Sequence, residues 1–128
     1  MDPIDVIYFE DDDIESQIMQ LGMRKWGINI LHVPGMTAHT MQDMADARYQ
    51  AAHAILFDAV LAGINGLDVA QQLRERGDNR VFFIITAGQN PNSNMLKQLE
   101  IGFLQKPVDF AYLAQLIRER VGEKQNPQ

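Results

Sequence analysis

The chain alternates between short apolar runs and longer stretches in which apolar residues recur every three or four positions. Asp5-Val6-Ile7-Tyr8-Phe9, Ile28 to Val33, Ala54 to Phe57, Val81 to Ile85 and Gly102 to Gln105 are the short runs. Their β-branched and aromatic content predicts buried strands. After the first run, Ile14, Ile18, Leu21 and Met23 to Trp26 fall at helical spacing, opposed by Glu15, Gln17, Gln20 and Arg24. This predicts an amphipathic helix with the former set as its apolar face, stopped by Gly27. A Met- and Ala-rich segment from Thr37 to Tyr49 predicts a second helix, and Gly63 to Gly66 a loop. Leu67, Ala70 and Leu73 mark a third helix running to Arg76. A polar stretch from Gln89 to Asn94, expected to be a mobile loop, leads into a short fourth helix through Met95, Leu96 and Leu99. Phe110, Leu113, Ile117 and Val121 line a fifth, and Gly122 to Gln128 is a polar tail expected to fray.

Strand and helix thus alternate five times with short links. Right-handed crossovers turn that order into a parallel sheet covered by helices on both faces. The expected fold is α/β: a doubly wound five-stranded parallel sheet, (βα)5, flavodoxin-like. The 128 residues suit one domain, 1–128, with its core over about 4–121.

A net charge of −6 argues against a direct nucleic-acid surface. The absence of cysteine excludes a disulfide framework, a thiolate zinc site and a thiol nucleophile. No apolar stretch approaches the ~18 residues that span a bilayer, and no signal peptide is recognisable. A cytoplasmic location with no membrane contact is the expectation.

The apolar runs end abruptly in charge. The first meets Glu10, Asp11, Asp12 and Asp13, the third meets Asp58, and the fifth leads to Lys106-Pro107. Ionised groups inside a core are costly. If the strands are parallel, their charged ends meet at one edge, where open α/β sheets keep their sites. Two carboxylates about 4 Å apart repel by roughly 4 kcal/mol at an effective dielectric near 20. A cluster of acids with one ammonium therefore asks for a divalent metal and a phosphoryl group. Asp12 and Asp13 read instead as helix N-terminal residues, capping the backbone and favoured by its dipole.

Phe9-Glu10-Asp11-Asp12-Asp13, Phe57-Asp58 followed by Gly66, Ile85-Thr86-Ala87 and Lys106-Pro107 resemble, in order and at strand ends, the receiver domain of bacterial two-component response regulators. The resemblance runs from about Ile4 to Val121. It implies that Asp58 is the phosphoacceptor, taking a phosphoryl group from a phosphohistidine of a histidine kinase or phosphotransfer protein. It implies a Mg2+ (or Mn2+) cofactor held by Glu10, Asp11, Asp58 and the backbone carbonyl of Val60. Lys106 and Thr86 would contact phosphoryl oxygens, Thr86 and Phe103 would form the switch, and Lys106-Pro107 would be a cis peptide. The output face would be the fourth helix, fifth strand and fifth helix, open to an unknown effector or a homodimer. Leu61-Ala62 stand where the family often has Met-Pro, and the stretch before Phe103 is short. The short stretch, with the polar Asn90 to Asn94 segment, leaves the fourth helix and the output face open. Val60 and Gly88 offer no polar side chain to place an attacking water, so slow hydrolysis is expected.

Other classes compete. A phosphohydrolase with an Asp-x-Asp nucleophile would use Asp11 and Asp13, but Glu15 stands where it usually has Thr or Val. An FMN carrier shares the topology, yet four acids repel its phosphate. A non-phosphorylated interaction module remains. His32, His39 and His53 read as structural or surface residues, and Arg74, Arg76, Arg118, Glu119 and Arg120 as solvated helix faces.

Overall fold

A computed structural model of the protein describes residues 2–35, 47–61, 64–88 and 92–125. In chain order the elements are β1 (Ile4–Phe9), α1 (Asp13–Arg24), β2 (Ile28–Val33), the single turn α2 (Ala47–Gln50) and β3 (Ala54–Asp58). A two-stranded antiparallel hairpin, β4 (Val60–Leu61) and β5 (Ile64–Asn65), leads into α3 (Gly66–Glu75). Then come β6 (Val81–Thr86), α4 (Ser93–Gln98), β7 (Ile101–Gln105) and α5 (Phe110–Gln125).

The main sheet has five parallel strands in the order β2-β1-β3-β6-β7. Because side chains alternate across a strand, each strand feeds both layers. Val6, Tyr8, Leu56, Phe83, Ile85 and Leu104 pack with α1 and α5, chiefly through Met19, Met23, Leu113, Ile117 and Val121. Ile7, Phe9, Ile55, Phe57, Phe82 and Ile84 pack on the other face with Leu67, Val69, Ala70 and Leu73 of α3. The doubly wound parallel sheet is the expected one.

Several local expectations need correction. Of the apolar face expected for α1, Met23 is buried, but Ile14, Ile18 and Leu21 point outward, 69%, 53% and 65% exposed. The buried side is Ser16, Met19 and Met23, about half a turn round the helix. Gly22, on the flank between the two sides, lets the Phe110 ring of α5 approach, since a Cβ there would lie 2.4 Å from it. The loop expected over 63–66 is partly the β4–β5 hairpin, and Gly66 is already helical. The tail expected from Gly122 continues α5 to Gln125. Of the helix expected over Thr37 to Tyr49, residues 37–46 lie outside the described residues, as do 89–91 of the expected polar loop.

Arg74 is no solvated side chain. Its guanidinium donates to the carbonyls of Leu99, Asp78, Arg80 and Glu100 and stacks 3.7 Å from the Phe82 ring centroid. Arg118 likewise donates to the carbonyls of Asp2 and Trp26.

Candidate phosphoacceptor site

Register brings the charged residues together. Phe9 pairs with Phe57 and Thr86 with Gln105, so Glu10, Asp58, Thr86 and Lys106 emerge at neighbouring strand ends. Asp58 is the last residue of β3 and is buried, as are Glu10 and Thr86. The Lys106 Nζ lies 2.7 Å from Asp58 Oδ2, 2.7 Å from Glu15 Oε2 and 3.9 Å from Glu10 Oε2. The other Asp58 oxygen, Oδ1, accepts the Val60 backbone N–H at 2.9 Å. The backbone carries Lys106 there: its N–H donates to the Thr86 carbonyl at 2.8 Å, and the Lys106-Pro107 peptide is cis, as expected. The Thr86 hydroxyl oxygen accepts from the Gly88 N–H at 3.4 Å.

Glu10 is held on several sides. Its Oε2 accepts from the Tyr8 hydroxyl at 3.0 Å and its Oε1 from the Asp12 N–H at 3.0 Å. Its backbone carbonyl accepts from His32 Nε2 at 2.6 Å, so that ring nitrogen carries the proton. His32 is therefore a structural residue of the site's rim. Burial, reinforced by hydrogen bonding to Asp58, pushes the Glu10 carboxyl up to about 8. Burial also works to raise Asp58, but hydrogen bonds from Glu10 and Lys106 outweigh it and hold its pKa below the ordinary carboxylate value. For Lys106, burial works to lower the pKa, while Asp58 and Glu15 more than reverse it, so the ammonium stays charged.

Among the described residues, Glu10, Glu15 and Asp58 each offer an oxygen within 4.8 Å of the others. All three are hard oxygen donors, and their charge exceeds that of the single lysine, a set that fits a divalent cation of the magnesium kind. Asp11 is exposed, next to Glu10 but outside that group. Asp12 caps α1, its carboxylate accepting from the Ile14 and Glu15 N–H groups. Val60 presents its side chain to solvent, 76% exposed. Phe103 is 36% exposed on β7, outside the two core clusters.

Sequence reasoning placed Asp58, Glu10, Lys106 and Thr86 at one edge, and the structure brings them together. It missed Glu15. Asp12-x-x-Glu15 has the spacing of a capping box, in which the glutamate would reach back to the Asp12 N–H. Glu10 already occupies that N–H, and Glu15 turns to Lys106 instead.

No family model matches the chain. A cyclic di-GMP phosphodiesterase of Thermotoga maritima is 27% identical over 112 residues, 84% of this chain and 28% of that protein. The transcriptional regulatory protein CseB of Streptomyces coelicolor is 24% identical over 120 residues, 91% of this chain and 49% of that protein. The chain thus spans half or less of the curated relatives it matches. A solved response regulator receiver domain from Clostridium thermocellum superposes with a TM-score of 0.80 at 15% identity, covering 95% of this chain and 97% of that one. Other solved receiver domains superpose comparably. The chain has the flavodoxin-like, CheY-like fold of response-regulator receiver domains.

Proposed function

We propose that the chain is a receiver module of a two-component signalling system that accepts a phosphoryl group on Asp58. One observation carries the reading: a buried strand-end carboxylate, one oxygen on a backbone N–H and the other 2.7 Å from a lysine ammonium, beside a second buried carboxyl. The donor is a phosphohistidine of a histidine kinase or phosphotransfer protein. An Asp58 oxygen attacks phosphorus, the P–N bond breaks, and its electron pair leaves with the imidazole. Fixed aim and a prearranged ammonium are what such a transfer needs, since its charge develops on phosphoryl oxygens.

Glu10, Asp11 and Asp58, with the Val60 carbonyl, are the groups assigned to Mg2+ or Mn2+. Such an ion would supply positive charge for phosphoryl oxygens that otherwise face the buried Glu10 and Asp58 side chains. The Thr86 hydroxyl then reaches a phosphoryl oxygen, and Phe103 turns inward as Thr86 moves. The output face is α4, β7 and α5, available to an effector or a second copy. Ile14, Ile18 and Leu21, exposed on α1 next to Glu15, favour a protein donor, because such a stripe suits a partner's apolar surface.

With acetyl phosphate and Mg2+, intact mass spectrometry should show the wild type gaining one phosphoryl group and Asp58→Asn gaining none. Chelation of the metal should abolish the gain. Labelling that persists in Asp58→Asn would move the acceptor elsewhere.

A further inference from the structure

We infer that Glu15 is a positioning residue that shares Lys106 with the phosphoacceptor, making the site greedier for a divalent cation and more reluctant toward phosphoryl. The inference rests on the phosphoacceptor reading of Asp58. Glu15 lies as close to the ammonium as Asp58 does, 2.7 Å each. An ordinary duty for a glutamate three residues after a helix cap would be the Asp12 N–H, but Glu10 Oε1 holds that donor at 3.0 Å. The Glu15 carboxylate is thereby released, and it crosses from α1 to the residue that follows β7.

Two consequences have opposite signs. With Asp58 and Glu15 both accepting from its ammonium, Lys106 has one N–H left for an incoming phosphoryl oxygen. Glu15 also adds a negative charge next to the place where a phosphoryl group, itself anionic, must settle. The same charge helps a divalent cation, because its oxygen lies within 4.8 Å of those of Glu10 and Asp58. The Glu15 side chain remains 42% exposed, so the electrostatic effect is moderate and screened by salt.

Glu15→Gln separates these effects while keeping the side chain's size. Isothermal titration calorimetry should show Mg2+ binding weakened by about threefold to tenfold. Labelling of Asp58 by acetyl phosphate at saturating Mg2+ should quicken by a similar factor, and the gain should shrink at high ionic strength. Glu15→Asp, which keeps the charge, should restore most of the wild-type values. Thermal unfolding of both variants checks that they fold. A merely structural Glu15 would move metal binding and labelling in the same direction or leave both alone, and either result overturns the inference. If the wild type itself takes no label, the phosphoacceptor reading fails instead.

Discussion

Gly66 packs tightly against the backbone of Asp58. A Cβ on it would sit 2.0 Å from the Asp58 carbonyl oxygen and 3.3 Å from the Ala59 Cα. Its own N–H donates to the Ala59 carbonyl at 3.0 Å, so the start of α3 is tied directly to the end of β3. Only a residue without a side chain allows that approach. Gly66→Ala should therefore destabilise the fold by about 2 kcal/mol, as overpacking does. It should also slow Asp58 labelling by roughly tenfold or more, because small misplacements of a reacting group are costly. Urea unfolding and the labelling rate measure the two, and wild-type values for both would show that the backbone relaxes freely here. Asp78 offers a second test among single residues. Burial tends to raise its pKa, but the Arg80 guanidinium, 2.7 Å away, holds it below the ordinary value. A carboxylate depressed in the folded state contributes stability above its unfolded pKa, about 3.9. That contribution disappears as the pH falls below this value through the lower folded one. Asp78→Asn should be less stable than the wild type at neutral pH and should lose less on acidification. Parallel acid-unfolding curves for the two proteins would sink that expectation.

Among the elements, strands were legible and helix faces were not. The buried strands β1, β3 and β6 announce themselves by continuous apolar runs, and all five strands of the main sheet were located within about a residue. Helix α1 shows why a helix is harder: two apolar stripes lie on opposite sides, and composition does not say which one meets the sheet. The packing of Met19 and Met23 into the core under α5 decides it. Arg74 was hidden for a related reason, since two of its carbonyl partners, Leu99 and Glu100, and the Phe82 ring lie on segments that only the fold brings near. The outward stripe also makes a prediction. Leu21→Glu should cut phosphotransfer from a histidine kinase that labels the wild type by about tenfold, the loss of roughly 1.4 kcal/mol of contact. Labelling by acetyl phosphate should be unchanged and stability altered by no more than ~0.5 kcal/mol, as for an exposed position. Equal transfer from the kinase to both proteins would remove α1 from the docking surface.

At the scale of the whole molecule, parallel pairing does most of the functional work. Strand order and register place Glu10, Asp58, Thr86 and Lys106 at one edge, while the alternation of strands and helices made only the parallel sheet inferable. What escaped was any contact made by a side chain reaching sideways from a helix, with Glu15 the chief example. Such contacts depend on rotamers and on which neighbouring donors are already taken, information spread over residues far apart in the chain.

Glu15 and the outward-facing stripe ride on the same first turns of α1. A protein that grasps this rod from outside therefore holds one end of a short lever whose other end rests on an amine beside the reactive oxygen. A partner docked on that stripe would sit on the helix that also carries the Glu15 contact to Lys106.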